Sequence, residues 1–141
     1  AIEITESVLV AKMDHAGAAL KRLKALGVTI LADDYGTGYS SLSYIKELPL
    51  DGLKIDKKFV SDMTKSCAAK EIISGTISLA HRLGIHVIAE GVETAEQFYL
   101  LRAMECDYAQ GFLFGKAMHP ADMEGRYLCR GGSRYSSFLF R

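Results

Sequence analysis

The chain is expected to be α/β, a partial (β/α) TIM-type barrel of about five βα units out of eight. Three observations lead there. Short apolar, β-prone runs recur along the sequence. The segments between them carry helical spacing. Acidic and basic side chains fall at the carboxyl ends of the runs, where such a barrel assembles its site from several strands.

The first run, Ile2 to Thr5, ends at Glu6. Leu20, Leu23 and Leu26 then mark a helix. The second run, Val28 to Ala32, stops abruptly at Asp33-Asp34. A loop of glycines and hydroxyls follows, and then a helix-like segment. Leu50 to Asp56 is the third run and contains Lys54; Ile72, Ile73, Ile77, Leu79, Ala80 and Leu83 mark the helix after it. Ile85 to Glu93 is the fourth, with Glu90 and Glu93 at its end, followed by a helix on Ala95, Phe98, Leu101 and Met104. Tyr108 to Phe112 is a weaker fifth. Strands alternating with helices of this length give βαβ units and a parallel sheet.

A full eight-fold barrel takes about 250 residues, and this sequence has 141. The expectation is therefore the carboxyl-terminal five units, spanning residues 1–125, followed by a basic tail of undetermined structure at 126–141. Five parallel strands leave two open edges, which favours self-association or pairing with the missing part of the barrel.

Composition limits the function classes. The chain is 49% hydrophobic and 24% charged with net charge +0, so no overall field draws it to nucleic acid polymers. No apolar run approaches the roughly 18 residues of a membrane span, and no signal peptide pattern is present. These features suit a cytoplasmic domain. Cys67, Cys106 and Cys129 are widely spaced and odd in number, which suggests neither a disulfide framework nor a zinc knuckle.

The doublet Asp33-Asp34 is the strongest chemical signal. Adjacent carboxylates at a strand end repel unless a cation lies between them, so the pair reads as a divalent metal site; an acidic turn with a helix cap is the plain alternative. Gly36 and Gly38 allow backbone close approach in the loop that follows.

Five blocks, Glu3-Ile4-Thr5-Glu6-Ser7, Asp33 to Leu42, Lys54 to Val60, Ile88 to Thr94 and Asp107 to Phe114, together resemble the second half of the EAL-domain cyclic di-GMP phosphodiesterases of bacteria. The resemblance implies a (β/α) barrel that hydrolyses one phosphodiester of cyclic di-GMP to linear pGpG. It implies Mg²⁺ or Mn²⁺ as cofactors, because hard oxygen ligands suit these ions and a pair of them generates a nucleophile and neutralises phosphate charge. Glu3 would hold the first metal, Asp33 would bridge, and Asp34 and Glu90 would hold the second, with Glu90 and Lys54 counted as catalytic. Lys54 would orient water or phosphate, so its removal is expected to abolish hydrolysis while leaving metal affinity nearly unchanged. Glu6 would anchor the Asp34–Leu42 loop. Thr37, Ser40, Glu93 and Gln110 would contact substrate or support the ligands, although a helix N-terminal acid for Glu93 and a strand-end cap for Gln110 are equally good readings. Phe112 and Phe114 are expected to pack in the core.

The departures are as informative. The sequence has no Glu-Ala-Leu and no asparagine, so two of the family's first-metal ligands are not among these 141 residues. Two functions follow: a phosphodiesterase domain represented by its carboxyl-terminal portion, with little activity alone, or a degenerate module that binds cyclic di-GMP or a protein partner. The resemblance places either in the bacterial cytoplasm, within a larger sensory or membrane-anchored protein.

Overall fold

The computed structural model describes residues 1–11, 13–36 and 42–124; the tail lies outside them, as do Thr37 and Ser40. Five strands alternate with helices: β1 (Ile2–Thr5), α1 (Glu6–Ala11), α2 (Met13–Ala25), β2 (Ile30–Tyr35), α3 (Leu42–Glu47), β3 (Gly52–Ile55), α4 (Lys57–Asp62), α5 (Cys67–Arg82), β4 (His86–Ala89), α6 (Ala95–Ala103), β5 (Tyr108–Ala109) and α7 (Pro120–Met123). The strands form one parallel sheet in the order β1-β2-β3-β4-β5, part of a barrel wall, as the alternating pattern predicts. Three short helices, α1, α4 and α7, carry too few residues to show a helical period and are additions to the expected set.

Period-2 alternation divides the strand residues between two faces. Ile30, Ala32, Leu53, Ile55, Val87, Ala89 and Ala109 are buried in one core cluster with Leu20, Val60, Met63, Ile73, Ile77, Ala80 and Leu101 from the helices. Each buried Val, Leu, Ile or Met side chain contributes about 1.5–3 kcal/mol relative to exposure. β3 is buried along its whole length, as the middle strand should be. The spacing signals for α5 hold for Ile73, Ile77 and Ala80, whereas Ile72 and Leu83 from the same expected stripe are exposed.

Side chains close several helix starts. Asp56 caps α4 by accepting from the Lys58 amide, Ser66 caps α5 by accepting from Ala69, and Thr94 and Gln97 form a capping box on α6. Two aspartates tie the amino ends of the strands together. Asp51 accepts from the Ile30 amide at 2.9 Å and pairs with Lys24. Buried Asp107 accepts from the Val87 amide at 2.9 Å and contacts His81 Nε2 at 2.7 Å. No helix among the described residues is long and apolar enough to cross a membrane.

Candidate metal centre

The sheet face opposite the helix-packed one carries the candidate site. Register pairs Glu3 with Leu31 and Thr5 with Asp33, Leu31 with Gly52, and Lys54 with Ile88, which puts Glu3, Asp33 and Lys54 on that face. Glu90 follows two residues after Ile88 at the end of β4 and returns to the same side.

Adjacent residues of a regular strand point to opposite faces, so Asp33 and Asp34 should not share a site. The backbone resolves this. Ala32 pairs with Leu53 but Tyr35 pairs with Ile55, so β2 carries one extra residue against β3 and both aspartates lie opposite Lys54. Asp34 adopts φ 56°, a left-handed conformation that aspartate tolerates better than most residues. The Asp34 amide donates to Asp33 Oδ1 at 3.0 Å. After the bulge Tyr35 turns back into the core. One carboxylate oxygen each from Asp33, Asp34 and Glu90 then lie within 4.8 Å of one another.

Lys54 stands among these acids with only 4% of its surface exposed. Its Nζ lies 2.7 Å from Glu3 Oε2, 2.8 Å from Glu90 Oε1 and 3.1 Å from Asp33 Oδ1. Burial alone would depress the ammonium pKa, but hydrogen bonds to Glu3, Glu90 and Asp33 outweigh it and hold the pKa above the ordinary lysine value. Lys54 is therefore charged at any physiological pH and offsets part of the negative charge of the acids. Glu3 reaches the cluster through this ammonium and is not one of the three closely grouped carboxylates.

Glu6 opens α1 and is buried, with 2% exposure. Its Oε2 accepts from the Gly36 amide at 3.0 Å, tying the start of the Asp34–Leu42 loop to the first turn of α1. Burial and then the Glu6 charge raise the pKa of Tyr35 above its usual value. Glu93 and Gln110 expose their side chains. The Gln110 backbone, however, links two strand ends, donating to Ala89 O at 2.8 Å and accepting from the Val92 amide at 3.0 Å. Phe114 packs beside Phe98 with ring centroids 5.8 Å apart. Phe112 corrects the core expectation: it is 61% exposed, with Lys116 Nζ 5.2 Å from its ring centroid. An alternating-face argument cannot place it, because β5 ends at Ala109.

The donor set fits Mg²⁺ or Mn²⁺: three clustered carboxylates are hard oxygen ligands, and no nitrogen or sulfur donor joins them among the described residues. Gln97 is a buried polar residue that motif reading did not find. It is buried beneath the turn after β4, and its capping-box spacing from Thr94 was the available signal.

Comparison with known proteins identifies the family. The family model described as "EAL domain" matches residues 1–117. The cyclic di-GMP phosphodiesterase NbdA of Pseudomonas aeruginosa is 43% identical over 123 residues, which is 87% of this chain and 16% of that protein. An uncharacterized protein of Azorhizobium caulinodans is 53% identical over 123 residues, 87% of this chain and 17% of that protein. The chain thus spans about a sixth of the length of these curated relatives. Among solved structures, the EAL domain of Mycobacterium smegmatis DcpA superimposes with TM-score 0.81 at 41% identity, covering 87% of this chain and 55% of that one. Klebsiella pneumoniae BlrP1, in a manganese and cyclic di-GMP complex, gives TM-score 0.77 at 36% identity, covering 82% and 29%. A family match over most of the length and solved structures of the same strand arrangement lead to one conclusion: the chain belongs to the EAL domain family.

Proposed function

We propose that this chain supplies the metal-binding and phosphate-facing part of a cyclic di-GMP phosphodiesterase site. The observation that carries the reading is the grouping of Asp33, Asp34 and Glu90 around the strand ends with Lys54 charged among them. NbdA is named for this hydrolysis, and BlrP1 is described with manganese and cyclic di-GMP. Asp33, Asp34 and Glu90 would hold Mg²⁺ or Mn²⁺, with Glu3 completing the set. In a complete domain, such ions would lower the pKa of a water and offset charge on the phosphodiester. Lys54 would orient that water or the scissile phosphate through its ammonium protons, which the neighbouring carboxylates keep in place. Glu6 fixes the loop that follows Asp34. Thr37, Ser40, Glu93 and Gln110 remain the substrate-side or supporting groups of this proposal, in a domain of the bacterial cytoplasm.

A second reading, binding of cyclic di-GMP without hydrolysis, applies if the longer polypeptide supplies neither the asparagine nor the Glu-Ala-Leu that these 141 residues lack. The test is pGpG formation from cyclic di-GMP with Mn²⁺, measured for this chain and for the longest natural polypeptide that contains it. The phosphodiesterase reading expects turnover by the longer protein, loss of it in Asp33→Asn, and little or none by the 141-residue chain. Tight cyclic di-GMP binding without pGpG from the longer protein would establish the second reading instead. Full turnover by the 141-residue chain would show that the two absent ligands are dispensable.

A further inference from the structure

The two turns that carry the clustered carboxylates, after β2 and after β4, do not touch through the sheet alone; both rest on α4. On one side, Gly36 follows the Asp33-Asp34 bulge. A Cβ at Gly36 would lie 2.5 Å from Phe59 Cε2, so the α4 ring fills the space beneath that backbone. On the other side, Gly91 follows Glu90. A Cβ there would lie 2.5 Å from Lys57 Cβ and 3.3 Å from Lys57 Cα, so this turn is seated on the α4 backbone itself. Gly91 also has φ +69°, a conformation that side chains disfavour.

Gln97 completes the arrangement. Its Oε1 accepts from the Glu93 amide at 2.8 Å and the Thr94 amide at 3.0 Å, fixing the residues that follow Glu90. Its Nε2 donates to the Val60 carbonyl of α4 at 3.2 Å. A helix cap alone requires only the Oε1 bond to Thr94. The additional bonds, and burial of the whole side chain to 6% exposure, tie the Glu90 turn to the same helix that supports the Asp33-Asp34 turn.

We propose that α4 is the strut that sets the spacing of the clustered carboxylates, and that Gln97 and Phe59 are its positioning residues. Each acts through a turn: Phe59 through Gly36 and Gln97 through the Glu93–Thr94 amides. Supporting partners of metal ligands typically govern affinity by 10- to 100-fold.

This inference rests on the metal-binding reading, and the test separates the two. Mn²⁺ is titrated into the full 141-residue chain, with free ion followed by electron paramagnetic resonance and folding checked by circular dichroism in the same samples. Gln97→Glu preserves the cap, because glutamate accepts from amides as glutamine does, but it cannot donate to the Val60 carbonyl when ionised. Its added negative charge should, if anything, attract Mn²⁺. The strut therefore expects Gln97→Glu to bind Mn²⁺ about tenfold more weakly, whereas a residue that only caps α6 would leave affinity unchanged or improved. Phe59→Leu, a smaller disturbance, is expected to weaken binding several-fold and decides the matter should Gln97→Glu fail to fold. Unchanged affinity in a folded Gln97→Glu or Phe59→Leu chain overturns the strut alone. Absence of Mn²⁺ binding in the unsubstituted chain overturns the metal site and the strut with it.

Discussion

Replacing Lys54 by methionine should make the metal-free protein less stable and its metal binding tighter. At about 3 Å and an effective dielectric near 20, each ammonium–carboxylate attraction is worth roughly 5 kcal/mol, set against a desolvation cost of several kcal/mol per ion. Removing one member of a buried pair typically costs about 3–5 kcal/mol because the other charge is left behind. Water reaches the acids here, with side-chain exposures of 49% for Glu3 and 21% for Asp33 and Glu90, so the stranded charges are partly solvated. A loss of about 1–3 kcal/mol is the better expectation. For a chain of this size that is a fall in Tm of about 3–10 °C in EDTA. The same repulsion is relieved when a divalent ion enters, and no ammonium competes for the oxygens. Mn²⁺ affinity should rise by about tenfold, equivalent to about 1.4 kcal/mol. This reverses the expectation from position alone, that metal affinity would be nearly indifferent to Lys54.

The sign of the pH dependence follows from the raised pKa. The folded-state pKa lies above the unfolded value of about 10.4, so the contribution of Lys54 is fully present below pH 10 and fades only as pH rises through the folded value. Thermal unfolding at pH 7–9 should therefore show a constant difference between the Lys54→Met and unsubstituted proteins. The assay is differential scanning fluorimetry in EDTA and across a Mn²⁺ titration. An unchanged Tm in EDTA together with unchanged or weaker Mn²⁺ binding would refute the reasoning.

Four further outcomes are expected. Bonds from Lys24 and the Ile30 amide overcome the opposing effect of burial and lower the Asp51 pKa, so its stabilisation, about 0.5–1 kcal/mol, is present above pH 4 and lost as pH falls through the folded value; Asp51→Asn should flatten that acid limb in urea titrations. Burial pushes the Cys106 thiol up to about 12, so iodoacetamide at pH 8 should alkylate exposed Cys67 and spare Cys106, as peptide mapping would show. A Cβ at Gly111 would run into the backbone of Val92, which cannot swing aside, whereas one at Gly52 meets only the movable end of Leu31. Gly111→Ala should thus cost about 2 kcal/mol in chemical denaturation and clearly more than Gly52→Ala. β1 and β5 are the outer strands of an unclosed sheet, so light scattering at micromolar concentration should find the 141-residue chain associated; a monodisperse 15.4 kDa species would remove this expectation.

The acids of the site were legible in the sequence, but what brings them together was not. Asp33 and Glu90 fall at the ends of apolar runs and Glu3 and Lys54 interrupt them, and a parallel sheet brings corresponding positions of its strands together. Composition and period carry that much. They also give the helices that are long enough to repeat, such as α5, where Ile73, Ile77 and Ala80 mark the buried stripe. Asp34 is different. Its side chain reaches the cluster only because β2 gains a residue against β3 and the backbone turns left-handed, a two-strand property that no single-strand pattern encodes. The same limit hides α4. Six residues cannot display a 3.6-residue period, and the importance of Phe59 lies in which glycine stands above it, more than twenty residues earlier in the chain. Lys54 shows the limit for charge. A lysine within an apolar run reads as a single cation, but its effect depends on three carboxylates from three other strand ends. Ligand chemistry can thus be read from residue types one strand at a time, whereas the contacts expected to set affinity run between elements, and that is why the decisive substitutions, Lys54→Met and Gln97→Glu, change residues that are not metal ligands.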